Sequence, residues 1–417
     1  MEHTSSATAL ALASGLSANV DHSLAAEQVC EQVLGSLKPG QTDLALLFVS
    51  GPHVRELEDI AHVVRSSLEP GTLLGVSAEG VLGPDTEIER QPAVSLLAAS
   101  LPGTSLHPFL YRDLPHVKEG DPAALKRTAE IVGARRDMRA MLFFADPFSV
   151  PAAAAVDALS KVYTCVDGLK RSPVIGGMAS AGQQPGSNAL VLNDVLMRAG
   201  GVGVAVRGDV EIDCVVSQGC RPIGKPMVIT GAQRNVVKTL GGEKALDVLR
   251  RTVSELPEED RALLPNGVFV GRVIDEFRPR FGRGDFLIRG VLGVDQQTGA
   301  VALGDLVRPG QTIQFHLRDA RTASEDLELL LAAQQLQHPP AGGLLLTCNG
   351  RGSRLFIEPS HDARAVTRAL TGDGGRPLPL AGCFAAGEIG PIGGSSFLHG
   401  HTACLALFRA RRRVHDE

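Results

Sequence analysis

One pattern recurs three times along the chain: an apolar run, a helical segment, and a second apolar run that closes in a turn of small residues. The first runs are LALLFV at 44–49, MLFFADPF at 141–148 and GLLLTC at 343–348. The second runs are LLGVSAEGVLG at 73–83, VIGGMASAG at 174–182 and LAGCFAAGEIGP at 380–391. Continuous apolar runs of this length are typical of strands buried on both faces. Three copies with the same ending predict an internal duplication of strand–helix–strand units.

Further apolar segments complete the predicted frame. Another apolar run follows each copy, at 93–99, 189–197 and 402–408. The alternating residues 200–218 turn at Arg207-Gly208-Asp209 and predict a β-hairpin, and 267–318 predicts an antiparallel meander. We therefore expect an α/β (α+β) fold with two mixed-sheet domains, at 20–230 and 231–410. Both are built from strand–helix–strand units with helices packed on the sheets, and the meander lies in the second domain.

Composition and charge exclude several classes of protein. The formal net charge is −5 and the pI is near 6.2, which provides no broad electrostatic footprint for nucleic acid. No apolar run approaches the roughly 20 residues that span a bilayer. The seven cysteines are scattered and include no CxxC pair. These features predict a cytoplasmic protein without a disulfide framework, with no nucleic-acid or membrane partner.

Two glycine-rich turns, at 348–352 and 382–391, carry the residues most suited to bind a ligand. Small residues let a ligand approach the backbone closely, and their N–H groups can hold an anion. Arg351 and Glu388 stand in these turns as a base and an acid, a combination that suits a zwitterion: Arg351 would take the carboxylate and Glu388 the ammonium. Asn349, His399 and Thr402 are further candidates. The alternative is that Arg351 and Glu388 pair with each other or cap backbone groups.

These residues belong to a series of motifs that resembles the FIST family, the sensory domains named for F-box and intracellular signal transduction proteins. The C-terminal half carries DFLIRGVLGVD at 285–295, CNGRG at 348–352, and GCFAAGEIGPIGG at 382–394 followed by FLHGHTA. The N-terminal half carries DLALLFVSGPH at 43–53, LLGVSAEGVLG at 73–83, VIGGMASAG at 174–182 and GCRPIGKPMVIT at 219–230. The resemblance covers nearly the whole chain.

The resemblance implies a two-part sensory and signal-transduction module that binds a small ligand, such as an amino acid or a similar polar metabolite. It implies no catalysis and no cofactor, and any output would need a separate signalling protein. Arg351 and Glu388 are the expected anchors, with Asn349, His399 and Thr402 beside them. Arg289 and Cys348 are candidate wall residues. The oligomeric state stays open.

Other hypotheses compete with this one. The chain would instead be an enzyme if Cys348 or Cys383 acted as a nucleophile with His399 as base, or it would be a protein-interaction scaffold. His399 and His401 would share one face of a strand, as a metal site needs, but no third ligand is evident, so we expect no metal. Buried structural cysteine is the commoner fate for either thiol. The basic tail, which includes Arg409, Arg411, Arg412 and Arg413, is expected to be a solvated terminus.

Overall fold

The structure, a computed structural model, describes residues 9–38, 40–118, 120–372 and 375–411. The described residues form two compact units. Unit 1 comprises the described parts of Met1–Val216, Glu328–Leu398 and Ala403–Glu417, and unit 2 comprises Ser217–Leu327 with His399–Thr402. In the sequence, unit 2 is therefore an insertion into unit 1.

Unit 1 begins with two repeats that have the same order of elements. The first repeat contains β1 (Ala11–Ser17), α1 (His22–Leu34), β2 (Leu44–Ser50), α2 (Leu57–Leu68), β3 (Thr72–Ala78), β4 (Gly80–Gly83), β5 (Thr86–Glu89) and β6 (Val94–Ser100). The second contains β7 (Thr104–Leu110), α3 (Pro122–Ile131), β8 (Met138–Ala145), α4 (Ala152–Lys161), β9 (Val174–Met178), β10 (Leu190–Leu192), β11 (Val195–Met197) and β12 (Gly201–Gly208).

The third repeat is interrupted in sequence by unit 2. It begins with β13 (Val210–Gln218). The elements of unit 2 follow: β14 (Cys220–Gln233), β15 (Val236–Leu240), β16 (Glu243–Lys244), α5 (Ala245–Ser254), α6 (Glu258–Arg261), β17 (Val268–Val273), β18 (Phe286–Asp295), β19 (Ala300–Leu303) and β20 (Thr312–Arg318). The repeat continues with α7 (Ala320–Gln335), β21 (Gly342–Cys348), α8 (His361–Leu370), β22 (Leu380–Ala385), β23 (Glu388–Ile392), β24 (Ser395–His399) and β25 (Thr402–Ala410). The three matching orders confirm the predicted duplication.

The strand–helix–strand units form parallel pairs, and a glycine occupies the same position in each pair. Gly75 pairs with Leu47, Gly176 with Phe143, and Gly382 with Leu345. A Cβ added at Gly176 or at Gly382 would lie 1.7 Å from the carbonyl oxygen of the paired residue. No side chain fits at that distance, which explains why the second runs of the second and third units contain glycine at this position.

Each repeat completes the sheet of another repeat. The three sheets have the orders β1-β6-β2-β3-β10-β11, β7-β12-β8-β9-β23-β24 and β13-β25-β21-β22-β4-β5. The β4–β5 hairpin of the first repeat thus joins the sheet of the third, the third repeat's β23–β24 joins the second, and the second repeat's β10–β11 joins the first. This cyclic exchange brings residues of the first repeat beside the glycine-rich turn that follows β21.

The core of unit 1 lies between the three sheets. Alternate residues of the parallel strands, such as Phe48, Phe144 and Leu346, meet in one shared cluster. The residues between them face the opposite way, toward the helices: Leu47 packs with α1 and α2, and Phe143 packs with α4. Because the strands are covered on both faces, they show the continuous apolar runs seen in the sequence.

Unit 2 is a strand-rich unit with its own apolar core. Its strands have the order β14-β20-β17-β18-β19-β15-β16, and an additional pairing between β14 and β15 closes the sheet into a ring. The long β14 makes this closure, since it pairs first with β20 and then with β15. The predicted meander is confirmed as antiparallel. Its last strand, β20, does not pair with the preceding strand β19 as in a simple meander, but with β17 and β14.

The hairpin predicted for residues 200–218 is wrong, and the apolar run at 189–197 is not the structural counterpart of the runs at 93–99 and 402–408. Residues 200–218 do form two strands, but β12 lies between β7 and β8, whereas β13 lies beside β25 in another sheet. Residues 189–197 form the β10–β11 hairpin, and the strand equivalent to β6 and β25 is β12. In both places the sequence identifies the strands, and their partners come from distant parts of the chain.

The basic tail is also not uniformly solvated. The Arg409 side chain is 1% exposed and donates hydrogen bonds to the Asp213 carboxylate, the Gln334 side chain and the His338 carbonyl. This buried guanidinium is compensated by its carboxylate, which is why it can end a strand inside unit 1. Arg411 is exposed, and Arg412 and Arg413 lie outside the described residues.

Candidate functional site

The turn after β21 is fixed by its backbone and by one glycine. Asn349 N–H donates to the Ala385 carbonyl (3.0 Å), and Arg351 N–H donates to the Cys348 carbonyl (2.7 Å). Gly352 has φ +55°, and a Cβ there would lie 2.6 Å from Glu89 Oε1. The CNGRG sequence therefore forms a tight turn that turns the Arg351 side chain inward, where it is fully buried.

Arg351 forms a buried ion pair with Asp362, in the first turn of α8. Its Nε and Nη2 donate to the two carboxylate oxygens at 2.7 and 2.8 Å, and the side chains are 0% and 1% exposed. Thr347 Oγ1 also donates to Asp362 (2.7 Å). Burial acts to raise the pKa of Asp362, but the guanidinium and these hydrogen bonds hold it well below its usual range. At neutral pH this pair is ionised.

An aromatic and a histidine side chain complete the surroundings of the pair. The Arg351 guanidinium lies over the Phe356 ring, 5.2 Å from its centre. The Phe356 ring stacks in turn on the His361 ring at 3.6 Å, and His361 Nδ1 lies 3.0 Å from Asp362 Oδ1. A guanidinium held by one carboxylate and one aromatic face is fixed in position.

Three glutamates of the first repeat contact the loop that contains this pair. Glu79 binds Arg354 (2.6 Å). Glu89 accepts from Ser353 N–H and Oγ, both at 2.8 Å. Glu87 Oε1 accepts from Ala363 N–H (2.9 Å). The β4–β5 hairpin is thus held on the third repeat by acidic side chains.

Glu87 differs from an ordinary surface glutamate. Burial, and then the neighbouring charge of Asp362, raise the pKa of Glu87 from its ordinary value of 4.5 to about 8. Its carboxyl therefore carries a proton at neutral pH, because two ionised carboxylates cannot share this buried place at low cost. A protonated carboxyl can donate a hydrogen bond as well as accept one.

Three buried polar atoms of this cluster have no hydrogen-bond partner among the residues that the structure describes. They are Arg351 Nη1, Asn349 Oδ1 and Glu87 Oε2. Buried polar groups are nearly always paired, so each such atom needs an explanation. We define Asn349, Arg351, Asp362 and Glu87 as the Arg351 cluster.

The structure places the predicted residues of unit 1 as follows. One turn contains Arg351, Asn349 and Cys348. One of the alternatives paired Arg351 with Glu388, but the carboxylate that binds Arg351 is that of Asp362. Glu388 is fully buried at the start of β23, which pairs with β9 at Gly177. Sequence reasoning missed Asp362 and Glu87. The available sequence signal for Asp362 was an acidic residue at the start of the helix that follows the CNGRG turn. No local sequence signal pointed to Glu87.

The remaining predicted residues belong to unit 2. Arg289 on β18 donates to Asp305 (3.0 Å). His399 and Thr402 are buried, 4% and 1% exposed. His401 lies in a turn with φ +62°, and its ring packs against Phe269 at 4.4 Å. The two histidines therefore do not alternate along one strand, as the metal hypothesis required. Across the described ranges, no group of three or more His, Cys, Asp or Glu side chains has a metal-binding arrangement.

The cysteines differ in their surroundings. Burial raises the pKa of the Cys383 thiol far above its ordinary value, and the nearby Glu388 acts in the same direction. A thiol of this kind is a poor nucleophile at neutral pH. Cys348 Sγ accepts a hydrogen bond from Gly350 N–H at 3.4 Å, and the sulfur lies near the guanidiniums of Arg351 and Arg354.

These features define a mixed α/β protein built from three repeats, with a buried ionic cluster at the end of a parallel strand. The FIST N domain model matches residues 43–243, and the FIST C domain model matches residues 245–391. The chain belongs to the FIST family. FIST domains are generally sensory and signal-transduction domains.

Curated relatives align with this chain over almost their full length. An uncharacterized protein of Mycobacterium tuberculosis strain H37Rv is 39% identical over 400 residues, which cover 94% of this chain and 98% of the relative. An uncharacterized protein of Mycobacterium bovis is 38% identical, with 94% of this chain and 97% of the relative covered.

A cyanuric acid hydrolase structure aligns over 97% of this chain and 100% of its own, with 9% identity and a TM-score of 0.33, a likeness too weak to support an argument. Among the described helices, none has the length and apolar character needed to cross a membrane.

Proposed function

We propose that this chain is a cytoplasmic sensory protein that binds a small polar ligand at the Arg351 cluster. The ligand class that fits is an amino acid or a similar small metabolite with both acidic and basic groups. No catalysis is needed for this role, and a separate signalling protein would receive the output. Cys348 and Glu388 are retained as proposed contacts of this ligand in unit 1. Arg289, His399 and Thr402 belong to unit 2 and are retained as a separate proposal for ligand contacts within that unit.

The observation that carries the proposal is the set of three buried atoms for which the described part of the chain provides no hydrogen-bond partner. Arg351 Nη1 is a cationic donor, which suits a carboxylate oxygen of a ligand. Asn349 Oδ1 is an acceptor, which suits an ammonium or hydroxyl group. Glu87 Oε2 can donate when protonated and accept when ionised. Together they present complementary groups to a small zwitterion.

Asp362 limits how Arg351 can bind. Because Nε and Nη2 are already engaged by Asp362, only Nη1 is left for a ligand. A ligand carboxylate would therefore be held by one nitrogen instead of by the two-pronged fork of a free arginine. The ion pair positions Nη1, and the ligand supplies its missing partner.

Ligand entry requires a movement, because Arg351 is 0% exposed. The bonds between the β4–β5 hairpin and the turn are the ones to open. The ion pair between Glu79 and Arg354 and the Glu89–Ser353 hydrogen bonds lie at the exposed edge. Exposed pairs of this kind are each worth about 1 kcal/mol or less. We propose that displacement of this hairpin couples ligand binding to the output.

A panel of free amino acids and related metabolites, titrated into the ligand-free full chain, tests the proposal. A ligand that binds only the folded state should raise the melting temperature in a saturable way. Asn349→Ala should weaken the affinity for that ligand by about tenfold at little cost in stability, because Oδ1 has no hydrogen-bond partner among the described residues to lose. Asn266→Ala, at an exposed position of unit 2, is the control. Unchanged melting temperatures across the panel, or equal affinities for the two variants, would contradict the proposal.

Cys348 supports a second candidate function, an enzyme with a cysteine nucleophile. The observation that favours it is the Gly350 N–H directed at the sulfur, with two guanidiniums nearby, since both features stabilise a thiolate. Selective alkylation of Cys348 near neutral pH would favour this function. Comparable, slow labelling of all seven cysteines would exclude it.

A further inference from the structure

Unit 2 has a cavity on the outer face of its ring of strands. The residues that line it come from β15, β16, β18, β19 and the turn between β18 and β19, and they border a volume of about 710 Å³. Val237 and Val301 belong to the core of unit 2, so their neighbours Val236 and Ala302 face the other way, into the cavity. Cavities that bind small molecules measure about 300–1,000 Å³. This cavity therefore has the size of a small-molecule site.

The floor of the cavity is apolar. Ala302 on β19 pairs with Val236 on β15 and with Gly293 on β18, so these three residues form one row across the sheet. Val294 also lines the cavity and is 42% exposed. None of the described lining residues is aromatic. Covering this apolar surface is favourable in water, and without a ring to stack on, the floor suits an aliphatic chain.

Lys244 stands at the rim of the cavity with its charge uncompensated. Its stem lies against the turn between β18 and β19, since a Cβ added at Gly299 would be 2.8 Å from Lys244 Cδ. The preceding residue, Glu243, is engaged through both carboxylate oxygens by Arg251, at 2.6 and 3.0 Å. Among the described residues, no carboxylate pairs with the Lys244 ammonium. A ligand carboxylate would supply that partner.

A second lysine and one acid also border the cavity. Lys238 Nζ donates to Gln233 Oε1 (2.9 Å), which uses one of the three hydrogens of its ammonium group. The Asp295 carboxylate is engaged by its own turn: it accepts from Gln297 N–H, from Thr298 N–H, and from the Thr298 hydroxyl at 2.6 Å. These hydrogen bonds, first that of the hydroxyl, hold the pKa of Asp295 below its ordinary value. The rim therefore has two positive charges and one negative charge, and the negative one is committed to the turn.

We propose that the cavity bordered by Val236, Lys238, Lys244, Gly293 and Ala302, which we call the Lys244 cavity, binds an aliphatic carboxylate. The chain of the ligand lies on the apolar floor, and its carboxylate meets Lys244 and Lys238 at the rim. A lysine ammonium binds as a point charge on a flexible stem, so both lysines can turn toward the ligand without movement of the strands. The site is separate from the Arg351 cluster and goes beyond the sensory function proposed above, because it concerns an apolar acid bound within unit 2 alone.

Octanoate titrated into the full chain by isothermal titration calorimetry tests the proposal, with sodium chloride adjusted to keep the ionic strength constant. We expect saturable binding of one octanoate per chain. Hexanoate should bind about tenfold more weakly, because two fewer methylene groups are removed from water. Acetate has the charge without the chain, and 1-octanol has the chain without the charge. Each should bind at least about tenfold more weakly than octanoate.

Two substitutions test where octanoate binds. Lys244→Gln removes the charge of an exposed side chain and should weaken the affinity for octanoate by about tenfold. Ala302→Leu fills part of the floor and should weaken it by a similar factor. Because both residues lie outside the core cluster of unit 2, the melting temperatures without ligand should stay near that of the wild type. Lys225→Gln, which removes an exposed lysine of unit 2 that does not line the cavity, is the matched control and should bind octanoate as the wild type does.

The proposal is overturned if octanoate gives no saturable heat at either of two temperatures. It is also overturned if 1-octanol binds as tightly, which would mean adsorption to an apolar surface, or if acetate does, which would mean that the floor contributes nothing. Binding that survives both Lys244→Gln and Ala302→Leu, or that Lys225→Gln weakens equally, would place octanoate elsewhere and overturn the proposal as well. None of these results depends on the Arg351 cluster, so the two proposals succeed or fail separately.

Discussion

Glu87→Gln should change how the stability of unit 1 depends on pH. The glutamine keeps the acceptor that binds Ala363 N–H, and its amide replaces the protonated oxygen of Glu87. Since Glu87 has a pKa of about 8 in the folded protein and 4.5 ordinarily, the folded state retains a proton that the unfolded state releases between these values. The free energy of unfolding of the wild type therefore falls as pH rises from about 4.5 to about 8, at up to about 1.4 kcal/mol per pH unit.

The size of the effect follows from the same two pKa values. A difference of about 3.5 pH units corresponds to at most about 5 kcal/mol, at about 1.36 kcal/mol per unit. Relaxation of the β4–β5 hairpin and entry of water reduce this figure, so we expect an effect on the order of 2–5 kcal/mol. Glu87→Gln should match the wild type near pH 4.5 and exceed it in stability by this amount above pH 8.

Urea unfolding followed by far-ultraviolet circular dichroism measures this difference, because the chain has no Trp to report by fluorescence. Glu130→Gln, which changes a half-exposed glutamate of unit 1, is the control and should keep the wild-type profile. The reasoning is refuted if Glu87→Gln and the wild type lose stability in parallel as pH rises. It is also refuted if the variant is the less stable protein above pH 8.

Three further variants or treatments test the frame and the site. Gly382→Ala should destabilise unit 1 by about 3 kcal/mol or more in urea unfolding, because its Cβ would overlap a carbonyl of the paired strand. Gly372→Ala is the control and should be near neutral, because its Cβ meets open space. Equal effects of the two substitutions would contradict the strand pairing. Asp362→Asn should lower the free energy of unfolding by about 3–5 kcal/mol, because it leaves a buried guanidinium without its carboxylate. Asp157→Asn, which breaks an exposed ion pair, should lower it by less than about 1 kcal/mol in the same assay. A small effect of Asp362→Asn would show that the Arg351–Asp362 pair is not buried in solution. Iodoacetamide near neutral pH should leave Cys383 unmodified in the native protein by mass spectrometry, because burial raises its pKa, and early labelling there would disprove that burial.

Local sequence patterns predicted the repeated units because those units depend on local order. Strands buried on both faces need continuous apolar residues, and the parallel pairs need glycine at positions such as Gly176 and Gly382. These constraints act within one strand–helix–strand unit. They are visible without knowledge of any other part of the chain.

The exchange of hairpins was not predictable in the same way. β4 and β22 are far apart in sequence, and only their pairing, at Leu82 with Gly382, places Glu87 beside Asp362. A glutamate at the edge of a short strand has no local mark of burial. The protonated carboxyl of the candidate site therefore arises from tertiary structure alone, whereas Arg351 could be identified by its glycine-rich turn.

The cyclic exchange of hairpins between the three repeats also affects how unit 1 unfolds. In a linear array of repeats, each repeat contacts only its neighbours, and the ends can fray while the middle stays folded. Here the ring has no terminal repeat, because each of the three gives two strands to one sheet and receives two from another. Loss of any one repeat would expose strand edges in the other two. Unit 1 should therefore unfold as a single cooperative unit. A ligand that stabilises one exchanged hairpin should stabilise all three repeats.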